Sequence, residues 1–287
     1  MWIAYAAGSA LFAGVMSILA KIGIKAVDSN LATALRTVVV AVFAWLMVFV
    51  VGSQGEIASL DQKTVVFLVL SGLATGGSWL CYFRALQIGN VNQVVPVDKS
   101  STVLTMLLSF ILFGEGLTWL KVVAMVLIGG GTYVMIERKV AGPVAATGYK
   151  WLVYAILSAV FASLTAILGK VGIVGVESNL GTAIRTMVVL VLAWLIVLMQ
   201  RKQRDNKHID KRSWLFIGLS GLATGLSWLC FYRALQTGPV SVVVPIDKLS
   251  ILVTIVFSFF VLREKLGWKS LLGLGLIMVG TASLLVP

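Results

Sequence analysis

The chain has 287 residues, 59% of them hydrophobic and 12% charged, with a mean hydropathy of +1.01. Soluble domains carry about 25% charged residues, so much of this apolar surface must face lipid. The net charge of +12 would suit nucleic acid, but the cations fall between apolar runs, where membrane proteins keep them, and nucleic acid is excluded as a partner.

A bilayer-spanning helix needs roughly 20 apolar residues. In chain order the candidates are residues 2–20, 31–51, 64–84, 91–113 and 118–136, then 151–169, 180–199, 213–233, 240–262 and 267–286. The first run has no basic segment before it, and its first charge, Lys21, follows it. It therefore reads as a retained helix rather than a signal peptide. Ser29-Asn30 and Ser178-Asn179 are N-cap residues for the second and seventh spans. Gly114-Glu115 and Arg263-Glu264 mark sharp turns before the fifth and tenth.

Residues 1–138 recur as residues 150–287 at a constant offset of 149, with 63 of 138 pairs identical and 139–149 left as a linker. Each copy holds five spans, and an odd number in tandem forces the second copy to cross in the opposite sense. The expected fold is an all-α integral membrane protein: ten transmembrane helices built from two five-helix inverted-topology repeats, complete as a monomer. Loop charge agrees. Fifteen Lys and Arg lie in the loops after odd-numbered spans, against four in the opposite set with both tails. By that bias both termini are extracytoplasmic in a bacterial cytoplasmic membrane. The loop at 52–63 has one Lys where its repeat, 201–212, is strongly basic, and Lys25 becomes Val174. His208 is a solvated residue of that basic loop. Cys81 and Cys230 share a repeat position on opposite membrane halves and are not expected to form a disulfide.

Ionisable residues inside spans are costly and mark function or pairing. Span four carries Pro96, Asp98 and Lys99, repeated as Pro245, Asp247 and Lys248. The prolines remove a helical hydrogen bond and are expected to kink the helix. Below each carboxylate runs a hydroxyl stripe on one helix face: Ser101, Thr105 and Ser109, repeated as Ser250, Thr254 and Ser258. This stripe is expected to line a cavity. Span three has Ser71, Thr75, Ser78 and Tyr82, repeated as Ser220, Thr224, Ser227 and Phe231. With Gly72-xxx-Gly76 beside it, that stripe reads as close helix packing. Trp79 and Trp228, near Tyr82 and Tyr232, are either interfacial belt residues or an aromatic cavity wall. By side, Lys21, Arg36, Arg84, Asp98 and Lys99 form one group; Lys170, Arg185, Arg233, Asp247 and Lys248 form its mate. Arg36 is the first-choice partner of Asp98, with Lys99 or Arg84 next. Each group is then expected to close one gate of an alternating-access cycle.

The duplicated five-helix units, the turn Phe113-Gly114-Glu115-Gly116-Leu117 and the run Leu127-Ile128-Gly129-Gly130-Gly131 resemble the EamA family of the drug/metabolite transporter superfamily. Copy two departs from the pattern at Arg263 and at Met278-Val279. The resemblance implies ten helices around a central cavity and transport, often export, of amino acids or other small metabolites.

One His, no phosphate loop, no metal-ligand cluster and no nucleophile–base pair leave no case for an enzyme or a cofactor. The expected function is a secondary transporter, an exporter or exchanger of amino-acid-like or anionic small molecules, because the basic excess favours carboxylate or phosphate. The alternative is proton-coupled export of cationic drugs, with Asp98 and Asp247 supplying the acid that spans one and six lack. A membrane scaffold or lipid scramblase is a third reading. A coupling proton is left open.

Overall fold

A computed structural model describes residues 1–23, 27–88, 94, 97–134, 150–200, 209–257 and 268–285. Copy one comprises α1 (Trp2–Gly23), α2 (Ser29–Val51), a 3-10 turn (Ser53–Ser59), α3 (Gln62–Ile88), α4 (Ser101–Phe113) and α5 (Trp119–Val134). Copy two comprises α6 (Lys150–Ile173), α7 (Ser178–Met199), α8 (Lys211–Thr237), α9 (Val240–Lys248), α10 (Ser250–Phe257) and α11 (Trp268–Ser283). Six helices, α1 to α3 and α6 to α8, contain runs long and apolar enough to cross a bilayer; α5 and α11 are shorter and apolar.

Local chemistry sets the helix ends. The Asp28 carboxylate accepts from the N–H groups of Asn30 and Leu31, at 3.0 and 3.2 Å. Glu177 does the same for Asn179 and Leu180, at 2.8 and 3.1 Å. The caps of α2 and α7 are therefore these acids, one residue before the expected Ser-Asn pairs: a carboxylate outbids a hydroxyl for the positive end of a helix. Gly52 and Gly114 close α2 and α4 with φ of 79° and 62°, a backbone that favours glycine.

The fourth span of copy two differs from the single helix expected over 240–262. Over its described residues, 240–257, it is two helices, α9 and α10, meeting at Leu249, whose N–H bonds the Ile246 carbonyl at 2.9 Å in a tightened turn. Pro245 lies inside α9, lacks an N–H and weakens the ladder just before this junction. Asp247 and Lys248 thus end a helix at a break. Pro96, Ser258, His208, Arg263 and Glu264 lie outside the described residues.

Packing shows the inversion directly. Leu31, Ala34 and Leu35, early in α2, cluster with Ala193 and Val197, late in α7. Ala44 and Val48, late in α2, cluster with Val176, Leu180 and Ala183, around the start of α7. At the two ends, Asn30 Nδ2 donates to Gln200 Oε1 at 2.6 Å and Ser53 Oγ to Glu177 Oε2 at 3.2 Å. α2 and α7 are the same helix of the two copies, and they run antiparallel. α5 and α11 repeat the arrangement: a Cβ on Gly131 would lie 2.6 Å from the Gly273 carbonyl, and one on Gly280 3.1 Å from the Ala124 carbonyl. The other contacts are exchanged, with α1 against α8 and α6 against α3.

Candidate functional site

The charged ends of the fourth spans are held by the opposite copy. Ser158 Oγ, on α6, donates to Asp98 Oδ1 at 2.6 Å and lies 3.3 Å from Ser78 Oγ, on α3. Ser9 Oγ, on α1, donates to Asp247 Oδ1 at 2.6 Å and lies 3.3 Å from Ser227 Oγ, on α8. Ser9 and Ser158 are the same repeat position, so two equivalent Asp–Ser–Ser clusters join the copies. Lys99 Nζ is 4.0 Å from Asp98, and Lys248 Nζ 3.8 Å from Asp247. Asp98 therefore meets Ser158 and Lys99, not the Arg36 expected from grouping the charges by side. A hydroxyl on the inverted neighbour reaches the carboxylate because the helix carrying it ends there.

Arg185, on α7, is 2% exposed. Its Nε donates to Ser71 Oγ at 3.0 Å and its Nη2 to Thr75 Oγ1 at 2.6 Å, both on α3 of copy one. The guanidinium carbon lies 5.0 Å from the Trp228 ring centre and 4.7 Å from that of Tyr232. Stacking on aromatic faces offsets part of the cost of burying this charge. Its repeat mate Arg36 is half-buried, and its Nη1 meets the Met16 thioether at 3.2 Å. Among the described residues, neither arginine forms a salt bridge.

Several of these groups line a cavity of about 400 Å³ between the copies. Lys99, Arg185, Asp247 and Lys248 supply its charge; Thr75, Ser78, Ser101, Thr105, Thr224, Ser227 and Ser250 its hydroxyls; Trp79, Trp228, Phe231 and Tyr232 its aromatic wall. Lys99 lies close enough to interact with Lys248 and Asp247 across the pseudo-two-fold axis. Of the two charge groups, Lys99 from the first and Arg185, Asp247 and Lys248 from its mate thus line one chamber.

Several expected residues lie elsewhere. Thr254 bonds back to the Ser250 carbonyl at 2.9 Å and faces the Gly14 carbonyl of α1 at 3.5 Å; Ser109 is buried on the Met106 carbonyl. Tyr82 packs in a cluster with Ala85, Val94 and Ala155. The span-three stripe, read as packing, does two jobs: Ser71 Oγ binds the Thr165 carbonyl at 2.8 Å, while Thr75 and Ser78 also line the chamber. Arg233 is exposed and donates to Gln236. Lys170 donates to the carbonyls of Leu235 and Gly238, holding the C-terminus of α8. The Lys21 side chain lies outside the described residues. Glu115, noted only as part of a turn, accepts from the N–H groups of Val240 and Ser241 at 2.7 and 3.0 Å. It caps α9 and so sets the height of Asp247. Ser9 and Ser158 escaped sequence reasoning; their one signal was identity between the copies.

Two sequence segments, residues 1–137 and 149–286, each match the EamA-like transporter family. The chain belongs to that family. Its span-length apolar helices make this EamA protein an integral membrane protein, and it is a membrane transporter of the drug/metabolite type. A Sinorhizobium sp protein described as an uncharacterized transporter in the cobO 3' region is 43% identical over 136 residues, which are 47% of this chain and 96% of the relative. That relative therefore has the length of about one copy. A solved crystal structure, 18% identical, superposes with a TM-score of 0.80 over 99% of this chain and 96% of its own, a likeness of fold.

Proposed function

We propose that the chain is a secondary transporter that exports or exchanges small molecules bearing a carboxylate or phosphate, amino acids among them, by alternating access. The observation that carries this reading is the charge of the chamber: among the described residues, Lys99, Arg185 and Lys248 line it with one carboxylate, Asp247, while Asp98 stands 4.0 Å behind Lys99. A wall with excess positive charge in a medium of low dielectric attracts anions and repels cations strongly. A volume near 400 Å³ is within the usual range for small-molecule pockets, and the indoles of Trp79 and Trp228 offer faces for an apolar group. Exchange of access is supported by the paired Asp–Ser–Ser clusters, which tie each fourth span to the first helix of the opposite copy. Rocking of one set of helices against the other would strain one cluster and then its mate.

Counterflow in proteoliposomes, against panels of amino acids, organic anions and organic cations, tests the reading. Anions or zwitterions should exchange; exchange by cations alone would sink it. A second reading, proton-coupled export of cations, is favoured by one observation, the Asp247 carboxylate in the same chamber as Trp228 and Phe231. Proton-driven accumulation of an organic cation, lost in Asp98→Asn/Asp247→Asn, would select it. The outward placement of the termini belongs to the same proposal, since an exporter loads from the side where the basic loop 201–212 lies. Labelling of cysteines placed in that loop only from outside the cell would reverse it.

A further inference from the structure

The two membrane-embedded arginines hold the same repeat position but different neighbours. Arg185 is the more engaged: two donors to Ser71 and Thr75, two rings against its guanidinium and 2% exposure, with its Nη1 unpartnered among the described residues. Arg36 has five donors and, among the described residues, one weak acceptor, the Met16 sulfur. The hydroxyls that would be its docking pair, Ser220 and Thr224, donate to the carbonyls of Ile217 and Ser220, at 2.8 and 2.6 Å, and among the described residues accept no bond from Arg36.

The sequence explains the difference. Around Arg185, Thr165 Oγ1 lies 3.3 Å from Thr75 Oγ1, and the Thr165 carbonyl receives Ser71. The Tyr232 hydroxyl and Ser71 Oγ both lie beside Gly169, 3.4 and 3.2 Å from where a Cβ there would sit. The repeat mates of Thr165 and Tyr232 are Met16 and Phe83. Copy one thus lacks two of the hydroxyls that surround the arginine's partners in copy two. Met16 itself lines the chamber. Met16, whose thioether is flexible, thus both touches the Arg36 guanidinium and lines the chamber.

We propose that Arg36 is the receptor for the substrate's anionic group, with Met16 as a movable cover, while Arg185 is a fixed wall. The inference rests on the anion reading above and deepens it by naming the atoms. A carboxylate or phosphate entering past Met16 would take the paired donors of Arg36 in a fork, the geometry that a guanidinium offers and an ammonium does not. The substrate class is then an anion with at least two oxygens on one centre.

Phenylglyoxal condenses with accessible guanidinium groups, and peptide mass spectrometry reads each arginine separately on the full-length protein in detergent. Arg36 should form adducts, with Arg185 slower by at least about tenfold, the cost of releasing one charge-assisted hydrogen bond. Phenylalanine, malate and inorganic phosphate serve as probes, and phenylalaninamide as the control without a carboxylate. At least one anion should slow the reaction at Arg36, and the amide should not. Met16→Thr, which supplies the hydroxyl present in copy two, should slow labelling of Arg36 several-fold with its charge intact. Equal reactivity of the two arginines, protection at Arg185 alone, no protection by any of the three anions, or equal protection by the amide would each overturn the inference. Its failure is distinguishable from that of the broader reading: anions that counterflow but leave Arg36 unprotected refute the receptor alone. Counterflow by cations alone refutes the anion reading whatever the labelling pattern.

Discussion

A Cβ built on Gly72 would lie 2.7 Å from Val188 Cβ and 3.1 Å from the Arg185 carbonyl; one built on Gly221 would lie 2.7 Å from Val39 Cβ and 3.0 Å from the Arg36 carbonyl. The backbone frames around the two arginines are therefore nearly superimposable, while their side chains touch different things. One is clamped by hydroxyls and rings, the other rests on sulfur. Close glycine contacts conserve the frame, because any side chain there would push helices apart. Neighbours one layer out, Met16 against Thr165 and Ala20 against Gly169, assign the work. An inverted repeat can thus keep its symmetry of fold and give up its symmetry of chemistry at a handful of positions.

The largest expected effect separates the two arginines by stability. Arg185→Gln removes two charge-assisted bonds from a buried site and should cost about 3 kcal/mol, seen as a fall in thermal midpoint in detergent. Arg36→Gln loses, among the described residues, a thioether contact and should cost less than about 1 kcal/mol. Equal losses would erase the distinction between wall and receptor.

Gly169→Ala comes next. Its Cβ would lie 2.7 Å from Tyr232 Cε1 and 3.2 Å from Ser71 Oγ, so the tyrosine must shift away from Arg185. Overpacking of this kind costs about 1–3 kcal/mol. Copy one already carries alanine here, Ala20, with Phe83 where copy two has Tyr232; Ala20→Gly should cost no more than the helix propensity of glycine, about 1 kcal/mol. A cost for Ala20→Gly that matches Gly169→Ala would show that the pocket beside Tyr232 is not what requires glycine.

Ser9→Ala and Ser158→Ala probe the part that remains symmetric. Each removes one hydroxyl donor 2.6 Å from a carboxylate, worth about 1.5–2 kcal/mol, and the two thermal shifts should agree. The same variants should slow counterflow alike if both clusters form and break in each cycle. A defect confined to one of them would mean that only one side acts as a gate.

Much of the architecture was legible in the chain. The offset of 149 and the odd number of spans dictated inversion, and the antiparallel contact of α2 with α7 is its physical form. Charge position was less legible. Membrane side pairs Asp98 with Arg36, yet the carboxylate accepts from a serine of the other copy. Ser9 carries meaning only through Asp247, 238 positions away, and a lone serine in an apolar span has no local pattern to betray that. The hydroxyls of α3 were visible as a stripe, but a helix face does not say which of packing and lining it serves; Thr75 does both. Glu115 was legible as a turn residue, whereas its role as a cap for α9 depends on how the inverted copies meet.

The smallest effect offers the sharpest test of how the asymmetry is encoded. Tyr232 is buried, holds its hydroxyl beside Gly169 as Ser71 does, and presents its ring to Arg185. Tyr232→Phe keeps the ring and removes one hydroxyl, so the cation–π contact survives and about 1 kcal/mol is lost. The loss should appear at Arg185 and not at the fold as a whole: phenylglyoxal should begin to modify Arg185, a few-fold faster than in the parent, with helix content unchanged. Combining it with Thr165→Met reconstructs the surroundings of Arg36 around Arg185. If hydroxyl supply is what holds an arginine as wall, the double variant should label at both positions at similar rates. If Arg185 stays protected, the clamp resides in Trp228 and the helix frame instead, and the division of labour between the copies has a different cause.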